Sequence, residues 1–159
     1  MALFYFQCAS IPTSGCLISR NISIVNTSFN PSMYPRSTLT DLQIHGFTGS
    51  SAVFKRNIPA LSRNYRIIAP DLRGHGQSEK PESGYHVSRL AMDLRELIMH
   101  LEKQDEFDSP IVGLGASLGC AILWSYVELF TSSVFSHMIF VDQAPLQNSS
   151  LDGWDSRYW

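Results

Sequence analysis

The strongest constraint on this chain is an apolar run from Ile111 to Phe130 that carries a single formal charge, Glu128. Hydropathy alone admits a membrane-spanning helix, and Gly115 and Gly119 stand at the GxxxG spacing of helix dimers. A second reading divides the run into a buried strand (Ile111 to Leu114), a tight turn and a buried helix (Leu118 to Phe130). At the turn lies Gly115-Ala116-Ser117-Leu118-Gly119, a G-x-S-x-G pattern. A serine is a poor nucleophile unless it is exposed, held rigidly and supplied with a base. A sharp strand-to-helix bend does the first two jobs, and the helix that follows aims its N-terminal amides at the site. The pattern alone recurs by chance, and a serine that merely caps a helix is the competing reading.

The sequence around this run favours the divided reading. Leu39 to Ile44 is a short strand ending in His45-Gly46, and Ser51 to Leu61 reads as a helix with Ala52, Phe54, Ile58 and Leu61 on one side. Tyr65 to Ala69 is a strand stopped by Pro70, and Asp71 to Gly84 is a loop holding three glycines and Pro81. Tyr85 to Lys103 is a helix: Val87, Leu90, Ala91, Leu94, Leu97, Ile98 and Leu101 recur at helical spacing. His137 to Val141 is a further strand, closed by Asp142-Gln-Ala-Pro145. Strands alternating with helices imply an α/β fold with a mostly parallel sheet and helices on both faces. Functional residues in such sheets sit at the carboxyl ends of strands.

Two further loops follow strands. His45-Gly46-Phe47-Thr48-Gly49 can turn backbone N–H groups inward, as acyl transfer requires where charge develops on a carbonyl oxygen. The amides of Phe47 and Leu118 are the expected donors, and His45 is expected to hold the loop rather than act as a base. Asp71-Leu-Arg-Gly-His-Gly-Gln-Ser78 lacks both G-K-[ST] and G-x-G-x-x-G, so a phosphate cradle is the weaker reading. A rigid loop in which Asp71 pairs with Arg73 is expected, with His75 at the surface or structural.

HGFTGSS, DLRGHGQS and GASLG, in that order and spacing, resemble the α/β-hydrolase superfamily over about residues 39–145. The resemblance implies that Ser117 is the nucleophile, that Phe47 and Leu118 form the oxyanion hole, that the loop bearing Asp71 and Arg73 is structural, and that His45 and Gly46 hold the separate loop carrying Phe47. It also implies that a serine, where epoxide hydrolases and dehalogenases carry Asp, acts on an ester or similar acyl bond. The family orders its triad as serine, acid, histidine. The last histidine is His137, at a strand start, where it is a poor base. Asp142, after the strand next to the serine, is the candidate acid; a turn-starting Asp is the alternative. On this reading the chain is the N-terminal half of the fold without its later strands, and is inactive or nearly so. A binding module that keeps the fold is the alternative. Residues 146–159 resemble the start of a cap, and their Trp154, Tyr158 and Trp159 suggest an apolar small-molecule substrate.

Residues 1–38 are irregular, with Cys16 to Ser19 and Ile22 to Val25 as possible short strands. Low acidity and many Ser and Thr make this segment weakly like an organelle transit peptide, although a cytoplasmic protein is expected. Asp41 and Gln43 fit poorly in a central strand. Net charge is −2, which gives no reason to expect nucleic acid as a partner. Three cysteines without CxxC spacing suggest neither disulfides nor a metal site, and no cofactor is implied. Cys120 reads as a small buried hydrophobe.

Overall fold

The computed structural model describes residues 39–103 and 111–142, together with the backbone of two short strands at 5–6 and 24–26. The strands are β1 (Tyr5–Phe6), β2 (Ile24–Asn26), β3 (Thr40–Ile44), β4 (Arg66–Pro70), β5 (Ile111–Ala116) and β6 (Phe135–Val141). The helices are α1 (Ile58–Leu61), α2 (Val87–Lys103) and α3 (Leu118–Phe130), with a 3-10 turn at Ser51–Phe54. One sheet forms in the order β1-β2-β4-β3-β5-β6. β4, β3, β5 and β6 run parallel, while β1 and β2 add an antiparallel margin. The expected α/β architecture is therefore present. The possible strand at Cys16 to Ser19 and the segment 146–159 lie outside the described residues; the one near Ile22 to Val25 sits at Ile24–Asn26.

Pleating sorts the core into two layers, because alternate residues of a strand face opposite sides. Leu42, Ile44 and Ile68 face α2 and α3, joining Leu90, Leu94, Leu97, Ile98, Ile122 and Leu123 in the larger cluster. Ile67 and Ala69 face the other way, against Phe54 and Ile58. On β6, Phe140 stacks on Trp124 with ring centroids 4.4 Å apart, whereas Ile139 and Val141 face outward and are about half exposed. The run from Ile111 to Phe130 divides into β5 and α3. Among the described residues no helix is long and apolar enough to cross a membrane.

Three local expectations need correction. The helix expected from Ser51 to Leu61 is instead a 3-10 turn followed by the short α1. Pro59 explains the break: its ring would clash with the carbonyl four residues back, and it has no N–H to donate. Pro59 instead sits in the first turn of α1, where its N–H would be unpaired anyway. The last strand begins at Phe135, so His137 is its third residue rather than its first. Asp41 and Gln43 do occupy a central strand, buried, with Gln43 Nε2 donating to Asp41 Oδ2 at 2.7 Å. Burial pushes the Asp41 carboxyl above the usual carboxylate range, against the opposing effect of that hydrogen bond.

Candidate active site

β5 ends at Ala116 and α3 begins at Leu118, so Ser117 is the whole of the bend between them. Its φ of 49° and ψ of −113° lie outside the regions that ordinary L-residues occupy. Holding a side-chain-bearing residue there costs on the order of 1–3 kcal/mol, which the surrounding packing must offset. Two glycines make that packing possible. A methyl group on Gly115 would lie 2.6 Å from the Gly119 carbonyl. One on Gly119 would press on the Ile44 carbonyl oxygen, with the carbonyl carbon at 2.9 Å and the His45 oxygen at 3.2 Å. Strand, helix and the loop after β3 thus meet at backbone distance. The Ser117 N–H donates to Val141 O on β6 at 2.9 Å, which fixes the bend from the far side. The Ser117 side chain makes no capping hydrogen bond and is partly exposed.

The loop after β3 lies directly against this serine. A Cβ built on Gly46 would be 3.1 Å from Ser117 Cβ and 3.8 Å from its Oγ. Gly49 N–H donates to Gly46 O at 3.2 Å, closing a four-residue turn. Thr48 takes the left-handed position of that turn with φ 61°, a place usually given to Gly. Phe47, between them, keeps 66% of its surface exposed. The Leu118 N–H belongs to the first turn of α3, where amides have no intrahelical acceptor. Glycine turn and helix start therefore flank one serine hydroxyl.

The loop after β4 buttresses this arrangement. His45 is fully buried, and its Nε2 accepts the Leu72 amide at 3.0 Å. The proton therefore resides on Nδ1, which donates to Gly46 O at 2.8 Å. Burial holds the imidazole below its ordinary pKa and so keeps it neutral. Asp71 Oδ1 accepts Ser51 N–H at 2.7 Å and Oδ2 accepts Gln77 N–H at 2.8 Å. The expected Asp71–Arg73 pair does not form. Asp71 is occupied by backbone amides, and Arg73 instead makes a two-pronged contact with Asp93 of α2, 2.7 Å on each prong. Arg89 joins Asp93 at 2.6 Å and Glu96 at 3.1 Å. The Arg89 pairs lie within α2 at helical spacing, whereas Arg73 with Asp93 joins a loop to a helix, and no spacing in the sequence announces it.

Asp142 directly follows Val141, which pairs with Ala116 in the ladder, and so lies at the serine end of the sheet. It is exposed and left-handed, with φ 60°. His137 pairs with Val112, toward the other end of the strand and about 17 Å from the bend at strand rise. Cys120 is fully buried, its thiol directed at Gly115 O (3.0 Å) and Val141 O (3.4 Å), and burial raises its pKa. Among the described residues no group of three or more His, Cys, Asp or Glu is placed to hold a metal ion.

The family profile described as alpha/beta hydrolase fold matches residues 42–159. The 2-(acetamidomethylene)succinate hydrolase of Mesorhizobium japonicum is 33% identical over 143 residues, covering 88% of this chain and 48% of that protein. The soluble epoxide hydrolase of Corynebacterium sp. (strain C12) is 47% identical over 58 residues, covering 36% of this chain and 20% of that protein. The ligand-free structure of the epoxide hydrolase CorEH superposes with a TM-score of 0.71 at 23% identity, over 99% of this chain and 48% of that one. The chain spans about half or less of the length of these proteins. With its parallel sheet, its serine at the β5–α3 bend and the profile match over residues 42–159, the chain belongs to the α/β-hydrolase fold family.

Proposed function

We propose that this chain carries the nucleophile and oxyanion-binding half of a serine hydrolase acting on an ester or similar acyl bond. The observation that carries the reading is the strained Ser117 backbone, φ 49° and ψ −113°, pressed against Gly46. In the proposed chemistry Ser117 Oγ attacks the carbonyl carbon of the substrate. The carbonyl oxygen gains negative charge and is met by the N–H groups of Phe47 and Leu118, with the α3 dipole behind them. Collapse expels the alcohol or amine, leaving an acyl-enzyme that water then hydrolyses. Asp142 is the proposed acid partner, on the strength of its place at the serine end of β6. The serine favours acyl chemistry over the epoxide chemistry named for two of the similar proteins.

The proton must also move. General-base help is worth roughly 10²–10⁴-fold in rate. His45 has both nitrogens engaged, and His137 stands at the far end of β6. We therefore expect slow turnover from the 159-residue chain. The same positions favour a second reading, a binding module that keeps the fold.

A fluorophosphonate probe tests the assignment, because it reacts with activated serines and reports the modified residue by mass spectrometry. Labelling at Ser117 that disappears in Ser117→Ala supports the hydrolase reading. A folded sample that resists the probe favours the binding module. Hydrolysis of a chromogenic short-chain ester that persists in Ser117→Ala removes the nucleophile assignment altogether.

A further inference from the structure

The turn that carries the Phe47 amide is closed by a single backbone hydrogen bond of its own, from Gly49 N–H to Gly46 O. Phe47 keeps its ring largely exposed, so its side chain gives the turn no hydrophobic anchor. Thr48 is β-branched and stands at φ 61°, a conformation that such residues rarely adopt. Something outside the turn must hold it there. The neighbouring loop supplies a contact: His75 Nδ1 lies 2.9 Å from Arg73 O, and His75 Nε2 lies 3.3 Å from Thr48 N. The carbonyl can only accept, so Nδ1 carries the proton, and Nε2 is left to accept the Thr48 N–H. The His75 ring also packs edgewise on Phe47 at 6.0 Å and on His45 at 5.3 Å. Arg73, whose carbonyl fixes the ring, is itself clamped to Asp93.

We propose that His75 is a positioning residue for the oxyanion hole, holding the left-handed Thr48 through Nε2 and thereby aiming the preceding amide, that of Phe47, at the space above Ser117. The inference rests on the acyl-transfer reading for its consequence, though the hydrogen bond can be tested without it. The ring acts on the turn and touches no substrate. Its effect passes from α2 through Asp93 and Arg73 to the imidazole, and from there to Thr48.

Two substitutions separate the parts of this role. His75→Phe keeps a ring against His45 and Phe47 but removes the acceptor. His75→Gln restores an amide oxygen near the place of Nε2. Amide hydrogen exchange of Phe47 and Thr48 is followed by NMR in the full chain at neutral pH, with Ile68 and Leu123 as core references. Exchange at Thr48 should quicken by about three- to tenfold in His75→Phe, the range expected for one net hydrogen bond. It should return toward the wild-type rate in His75→Gln, with the core references unchanged in both. Equal Thr48 exchange in His75→Phe and the wild type overturns the proposal. So does acceleration of Ile68 and Leu123 in step with Thr48, which would make His75 a general stability element. In a second arm, fluorophosphonate labelling of Ser117 should slow by about tenfold in His75→Phe and recover in His75→Gln. A wild-type chain that never labels contradicts the nucleophile assignment, and the exchange arm then decides the role of His75 alone.

Discussion

Replacing Gly119 by Ala tests the claim that strand, helix and glycine turn meet at backbone distance. The added methyl would meet the Ile44 carbonyl, with the carbon at 2.9 Å, and the His45 oxygen at 3.2 Å. Ordinary contact for such atoms begins near 3.5 Å, so α3 and β3 must part by about 1 Å. Both obstacles are backbone groups, one in a central strand, and neither can swing aside. Overpacking of this kind costs about 2–3 kcal/mol. Removing a glycine from a helix returns up to about 1 kcal/mol. The net loss is about 2 kcal/mol, or roughly a 4–8 °C fall in Tm for a domain of this size. The same displacement carries the Leu118 amide away from the Phe47 turn, and about 1 Å at a reacting centre can cost on the order of 100-fold in rate. Gly113→Ala is the control. Its methyl would meet the Phe135 ring at 3.1 Å and Leu123 at 3.2 Å, side-chain contacts that require a shift of only a few tenths of an ångström. Differential scanning fluorimetry and the rate of Ser117 labelling give the two readouts. A Gly119→Ala chain that melts within a degree of wild type and labels at the wild-type rate would refute the close-contact argument.

Three further outcomes follow from the charges. Asp93→Ala leaves the buried Arg73 guanidinium without its carboxylate and should lower stability by about 3 kcal/mol in urea denaturation, whereas the paired change Arg73→Met with Asp93→Leu should recover most of that loss. The Asp41 carboxyl titrates above its ordinary range when folded, so the native state holds its proton more tightly than the unfolded chain. Stability should therefore fall as pH rises from the ordinary carboxylate range through the folded pKa; Asp41→Asn should flatten that slope and raise the urea midpoint at pH 7. His45 shifts the other way: its folded pKa lies below the ordinary imidazole value, so its contribution is present above that value and is lost as pH falls through the folded pKa. His45→Gln should weaken this acid dependence while lowering stability at neutral pH by about 1 kcal/mol, read from denaturation midpoints at several pH values.

Much of the fold was legible because periodicity and punctuation agree. The helical stripe from Val87 to Leu101 and the strand stopped at Pro70 each have one reading, and the structure matches both. The run from Ile111 to Phe130 is ambiguous by hydropathy, and the motifs and elements around it favour its division into a strand and a helix. The helix expected from Ser51 was spoiled by Pro59, whose effect outweighs the apolar spacing around it. Pairings between distant loops were not legible. Arg73 with Asp93, and His75 with Thr48, join residues on separate elements, and nearest-neighbour reasoning led instead to Asp71 with Arg73. Asp41 and Gln43 are poor residues for a central strand by polarity, but two apart on one face they hydrogen-bond to each other and offset part of each other's burial.

The Ser117 amide donates to Val141, and the Cys120 thiol lies against the same carbonyl. The bend is thus closed by a strand synthesised after it. While the chain emerges from the ribosome, β5 and α3 can form before Val141 is available to lock them. The strained bend at Ser117 should then be fixed only when β6 docks, so that adding this strand and setting the serine's backbone are a single folding event.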